Sequence, residues 1–280
     1  MNNALKTVLV TGSNKGIGFG IIRGLLQKQK DYNLILTSRN VELGMKSYLK
    51  LQAEFPEKSS KLFYHQLDIT NEESISTCIS WIKNEFGKLD ILVNNAAVAT
   101  KGPEFNIDVF NFTFPINVYG TISFTEQILE EDLIKDNGKM IIIGSSVGKL
   151  KNLSESLQKE FLDDEISKEK LLILAERFKN AIINDKVFED GWIDSAYATS
   201  KMIINTYAKV LSKKKEVQEK EISIYACCPG WVRTDMAGPN ALLSIEEGVL
   251  TPIYLIELPD QINSEYQGKF FYECKNTPLN

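Results

Sequence analysis

Apolar residues fall in short runs along this chain, and helix-patterned stretches separate them. KTVLVTG, NLILTSR, KLFYHQLDI and KLDILVNNA carry their apolar residues almost consecutively, so each reads as a strand buried on both faces. Between them, IGFGIIRGLLQKQ, VELGMKSYLKLQAEF and ESISTCISWIKNEF repeat their apolar residues at helical spacing. The same alternation predicts a long helical region near 105–135, the strand GKMIIIGSS, a helix over roughly 195–213, the strand EISIYACC and a last strand at KFFYE. Buried strands separated by helices predict an α/β fold, a doubly wound parallel sheet of Rossmann type covered on both faces. With no Pro/Gly/Ser-rich linker, internal repeat or low-complexity tract, residues 1–280 read as a single domain. One segment departs from the alternation. Residues 150–190 are highly charged, yet Leu171, Leu174, Ala175, Phe178 and Ile182 recur at amphipathic spacing, which predicts a helical insertion ahead of the 195–213 helix.

Composition narrows the function classes. The 280 residues are 43% hydrophobic and 25% charged, which supports a large buried core. A net charge of -5 argues against a nucleic-acid or anionic-membrane surface, and Lys213, Lys214 and Lys215 read as a solvated helix end. No run approaches a membrane span, and MNNALKTVLVTG turns straight into a strand, so the expected location is cytoplasmic. Cys78, Cys227, Cys228 and Cys274 show neither metal spacing nor a disulfide framework and read as reduced thiols. The single histidine, His65, sits in FYHQLDI, where a hydrogen-bonded core imidazole is the expected role, so neither a metal site nor serine-histidine catalysis is indicated.

Two stretches carry candidate chemistry. TGSNKGIG places Gly12, Gly16 and Gly18 where the first strand turns into a helix. Such a turn either connects the two elements or brings backbone N–H groups and a helix dipole close to a pyrophosphate. About 20 residues on, where a ribose-binding acid is expected, the chain reads Thr37, Ser38, Arg39. Arg39 with Lys15 suits a 2′-phosphate, hence NADP(H), unless both are plain surface cations. The second stretch, DSAYATSK, stacks Tyr197 and Lys201 on one helical face, as a half-buried ring beside a solvated ammonium or as an acid/base pair.

Across nearly its whole length the chain resembles the short-chain dehydrogenase/reductase family. TGSNKGIG is similar to its TGxxxGxG turn, NNAA at 94–97 to its NNAG, GSS at 144–146 to its serine-bearing strand end, YATSK to its YxxxK, and PGWVRT at 229–234 to its PG motif. SNKGIG, HQLDI, the long insertion and ACCPGWVRTDMAGP most resemble the family's monomeric NADPH-dependent carbonyl reductases. The resemblance implies Tyr197 as acid/base, Lys201 as its activator, Ser146, followed by Val-Gly, as the carbonyl-orienting hydroxyl, and Asn117 as support of a proton-relay water. It also implies cofactor contacts from Asn14 and Ile17 in the turn, Asp68 and Ile69 at the adenine, Asn95 at the ribose, Pro229 and Gly230 in the PG motif, and Val232 and Thr234 near the nicotinamide. Two positions depart from the pattern: Ala97 replaces a glycine, and Pro115 stands two residues before Asn117, where it removes a helical N–H.

The implied chemistry is hydride transfer to a carbonyl with a proton from Tyr197. Lowering a phenol from about 10 by ~3 units takes ~4 kcal/mol. An ammonium at about 4 Å supplies that in an effective dielectric near 20. Trp231, Met236 and Ala237 follow the PG motif and suit an apolar substrate wall, although Trp231 alone also reads as a core ring. The expected substrates are quinones, aldehydes and ketones. A steroid, prostaglandin or sugar substrate, or a catalytically silent NADP(H)-binding regulator, stays open at this stage. The insertion, laid over the face that dimeric members of the family pair through, implies a monomer.

Overall fold

The computed structural model describes residues 5–260 and 264–279. The first half of the chain alternates β1 (Lys6–Val10), α1 (Gly16–Leu26), β2 (Tyr32–Ser38), α2 (Val41–Glu54), β3 (Leu62–Gln66), α3 (Glu72–Phe86) and β4 (Leu89–Asn94). Then come α4 (Ile107–Phe114), a π-helical turn at Pro115–Gly120, α5 (Thr121–Glu130), β5 (Ile134–Ile143), α6 (Glu155–Leu162), α7 (Lys168–Ile183) and α8 (Ala196–Ser212). The remainder is α9 (Lys215–Glu219), β6 (Ser223–Cys228), α10 (Ile245–Gly248), α11 (Leu250–Glu257), β7 (Lys269–Tyr272) and β8 (Lys275–Asn276).

The strands form one sheet in the order β3-β2-β1-β4-β5-β6-β7-β8, parallel throughout except at β8. Successive side chains of a strand face opposite sides. Val8 and Val10 therefore enter the core with Ile21, Leu25 and Val93, while Leu9 joins Leu92, Met140 and Tyr207 on the other side. Chain order reverses between β1 and β4, where a doubly wound sheet opens a crevice beyond its strand ends. Register places Val10 opposite Val93 and Ile143 opposite Cys227, so the residues after β1, β4, β5 and β6 leave the sheet along one edge.

The helical region near 105–135 ends earlier than its pattern predicts. After α5, Asp132 takes φ 54° and the Leu133 N–H reaches back to the Ile128 carbonyl at 2.9 Å, so a left-handed cap stops the helix and β5 begins at Ile134. The hairpin β7–β8 is unannounced by the hydrophobic pattern. Glu273 and Cys274 both take positive φ, the conformation of a two-residue turn that matches strand twist. His65 is half-buried rather than fully buried. It stacks on Trp81 at 4.7 Å, its Nδ1 lies 2.6 Å from the Gln66 carbonyl, and burial lowers its pKa. Among the described residues no helix is long and apolar enough to cross a membrane. Residues 1–4, at the head of MNNALKTVLVTG, lie outside the described ones.

The insertion folds as α6 and α7 and joins the main core. Leu171, Leu174, Ala175 and Phe178 are buried; Ile182 is only half-buried and Ala181 completes the inner face. Phe178 stacks on Phe114 of α4 at 5.7 Å and meets Trp192 at 5.3 Å. A buried carboxylate ties the docking together. Glu126 of α5 accepts from the Tyr207 hydroxyl at 2.6 Å and pairs with Lys168 of α7 at 3.2 Å and Lys214 at 2.5 Å.

Candidate active site

At the end of β1 the backbone turns sharply against the exit of β4. Gly12 holds φ 59°, and a Cβ there would stand 2.9 Å from the Ala96 Cα, so no side chain fits. The Thr11 hydroxyl accepts the N–H groups of Asn95 and Ala96, both at 2.9 Å, and the Asn95 amide donates back to the Thr11 carbonyl at 2.8 Å. This brace fixes the two strand ends as one surface. Gly18 is buried behind it, letting α1 approach Ser13 and Asn95 closely. α1 starts with no capping side chain and no acid in its first turn, which leaves a positive helix end facing outward.

A cavity of about 920 Å3 runs from this turn across the sheet edge. Arg39, exposed after β2, and Asp68 and Ile69, after β3, line one end, where Arg39 forms no ion pair among the described residues. Lys15 also lines it but pairs with Asp235 at 3.0 Å. Of the site residues expected from the sequence, all line this cavity except Gly18 and Asn117. Its volume, its glycine cradle and the uncapped helix end fit an extended dinucleotide, with Arg39 placed for a phosphate on the adenosine ribose.

The other end is built on α8. Ser195 caps the helix by accepting the Ala198 N–H at 3.2 Å, which sets Tyr197, Lys201 and Asn205 at successive turns of one face. Asn205 is a functional residue that the sequence reading misses. Its amide accepts the Ser145 N–H at 3.3 Å and donates to the carbonyls of Ser145 (2.9 Å) and Gly148 (3.2 Å), fixing the backbone just past β5. Gly144 is what allows this approach, since a Cβ there would lie 1.9 Å from the Asn205 Oδ1. The consequence concerns the serine pair. Both serines line the cavity, and the Ser145 hydroxyl accepts the Val147 N–H at 3.3 Å. Ser146, the serine singled out from the sequence, has its hydroxyl 3.6 Å from the Cys228 sulfur instead.

Burial pushes the Tyr197 phenol up to about 12 and the Lys201 ammonium down to about 8. Lys201 is 4% exposed, donates to the Ile143 carbonyl at 2.8 Å and lies 5.8 Å from the Tyr197 ring centre. Desolvation is the largest cause of the Tyr197 rise and acts against the acidified phenol expected from the sequence. Pro115, for its part, does not displace Asn117. The helix widens into the π turn over residues 115–120, which accommodates the missing N–H, and Asn117 is buried with its side chain fully engaged. It accepts the Val98 N–H at 2.8 Å and donates to the Val98 carbonyl at 2.9 Å and the Ser200 hydroxyl at 3.1 Å. Asn117 thus clamps the loop after β4 to α8 from behind the cavity wall.

Trp231 is 53% exposed on the cavity rim with Met236, so it is no core ring. Phe112, Ile116, Val147 and Lys101 complete this end; none of them was legible, because their loops and helix ends have no pattern of their own. A family model described as short chain dehydrogenase matches residues 6–157, more than half of the chain. The chain belongs to the short-chain dehydrogenase family. This short-chain dehydrogenase is 38% identical to the mouse (Mus musculus) protein carbonyl reductase (NADPH) 1, over 99% of this chain and 100% of the relative. The human (Homo sapiens) protein of that name is 37% identical over 98% of each chain. Among solved structures, salutaridine reductase from Papaver somniferum superposes with a TM-score of 0.83 at 27% identity, covering 96% of this chain and 100% of the other.

Proposed function

We propose that this protein reduces small carbonyl compounds, quinones, aldehydes and ketones among them, with NADPH as hydride donor. The observation that carries the reading is one cavity with a phosphate-suited end at Arg39 and α1 and a proton-donating end at Tyr197. The names of the mouse and human relatives support it. When bound, the reduced nicotinamide supplies the hydride. Ser146 donates a hydrogen bond that orients the carbonyl oxygen, and Tyr197 gives that oxygen its proton as negative charge develops. Lys201 stabilises the phenolate left behind. Asn117 and Asn205 are positioning residues, acting through Val98 and Ser145. Trp231, Met236 and Phe112 form the apolar wall that admits flat or aliphatic carbonyls. The direct test is NADPH consumption with a soluble quinone, an aldehyde and a ketone. Steady oxidation matched by alcohol or hydroquinone is expected, and none with any of the three would overturn the proposal.

NADPH is the preferred cofactor because Arg39 stands where an acid would bind an unphosphorylated ribose. Arg39→Asp is expected to erase or invert the preference, seen as the ratio of kcat/KM for NADPH and NADH. An unchanged ratio removes Arg39 from the phosphate site.

The protein is read as a monomer. α7 lays Leu171, Leu174 and Phe178 against α4 and α8, the face on which a partner subunit would pack, and the Glu126 cluster pins it there. Covering that face contributes several kcal/mol at about 25 cal/mol per Å2 of apolar surface. Light scattering at micromolar concentration should report about the chain mass of 31.6 kDa. A stable species of twice or four times that mass refutes the capping role. A cytoplasmic location is supported by the four cysteines, all of them free thiols.

A further inference from the structure

The segment after β6 folds back over the glycine turn. Thr234 lies against Gly16, its Cγ2 3.4 Å from where a Cβ would stand, and in the adjacent pair the Lys15 ammonium meets the Asp235 carboxylate at 3.0 Å. Thr234 also closes a tight turn, accepting the Gly238 N–H at 2.8 Å and, through its hydroxyl, the Ala237 N–H at 3.3 Å. Arg233 is turned away, donating to the Ala241 carbonyl at 3.2 Å and the Leu242 carbonyl at 2.6 Å, so Lys15 is the only cation that Asp235 pairs with among the described residues. Two carboxylates line the cavity, Asp235 and Asp68, and Asp68 is occupied by Thr70 at 2.9 and 2.7 Å. Of the two cations at the phosphate-suited end, Arg39 is therefore free and Lys15 is held.

We propose that Asp235 is a specificity-determining residue that acts through Lys15. It withholds the ammonium from the cofactor's 2′-phosphate, and phosphate binding exchanges one anion for the other, releasing the 234–238 turn from the glycine turn. This rests on the NADP(H) reading above. Both side chains are well exposed, 65% for Lys15 and 75% for Asp235, so the pair is weak, the exchange is readily reversed, and its effect on affinity is about two- to fivefold.

Fluorescence titration of wild type, Asp235→Asn, Lys15→Met and the double variant with NADPH and NADH tests it, with thermal unfolding as the folding check. Asp235→Asn is expected to tighten NADPH about two- to fivefold and leave NADH within experimental spread. In the Lys15→Met background the same change should have no effect. The inference is overturned if Asp235→Asn leaves NADPH unchanged or weakens it, if NADH tightens equally, or if the gain persists without Lys15, which would mean simple through-space repulsion. If wild type binds NADPH no better than NADH, the NADP(H) reading falls with it. If wild type prefers NADPH but the Asp235 contrast is missing, this inference alone fails.

Discussion

Tyr197→Phe is expected to lower kcat for carbonyl reduction by about 10^2- to 10^4-fold, the range for loss of a positioned general acid, while NADPH affinity stays within about twofold of wild type. The ring is kept, so the packing of α8's first turn survives and only the proton donor is removed. In the protein alone burial holds the phenol near 12, so at neutral pH it is fully protonated, the state a reduction needs. Lys201 has a separate role. Burial pushes it down to about 8, so it carries its charge at neutral pH and loses it as pH rises through that value. The kcat for reduction should accordingly be level below pH about 8 and fall above it, because the developing phenolate loses its counter-charge. If the Phe variant kept more than roughly a tenth of the activity, a loss under ~1.4 kcal/mol, another acid serves the reaction. A profile that rises through pH 8 would mean the Lys201 ammonium is not required.

The legible part of the molecule is the part with a period. Strands buried on both faces reveal themselves as apolar runs, as β1 and β4 do, and the crevice between them follows from topology alone. Motifs with fixed backbone demands were equally readable: Gly12 is in a conformation and a contact that only glycine meets. Asn205 was readable in principle, as the third member of a stripe begun by Tyr197 and Lys201, but an isolated Asn on a buried helix carries no signal of what it holds. Pro115 misled because sequence shows the lost N–H and not the wider turn that absorbs it. Helical spacing puts Tyr197 and Lys201 on one face but does not show the burial that pushes the phenol up. The link from Lys15 to Asp235 joins residues far apart in the chain and had no local trace.

The choice between two adjacent serines yields the second large effect. Ser145 has φ −161° and ψ 149°, an extended backbone, and Ser146 opens the short helical turn that follows it, so the two hydroxyls sit in different settings on the cavity wall. The Val-Gly that follows Ser146 singles out the member of the pair. Asn205 holds Ser145 at both its N–H and its carbonyl, the Ser145 hydroxyl accepts the Val147 N–H at 3.3 Å, and the Ser146 hydroxyl lies 3.6 Å from the Cys228 sulfur. Ser146→Ala is therefore expected to reduce kcat by about 10^2- to 10^3-fold, the cost of removing one donor to a developing oxyanion. Ser145→Ala, which loses the contact to the Val147 N–H, should stay within about threefold of wild type. Steady-state kinetics on both variants, with thermal unfolding to show that each is folded, gives a direct reading. The reverse pattern would assign the carbonyl-orienting hydroxyl to Ser145.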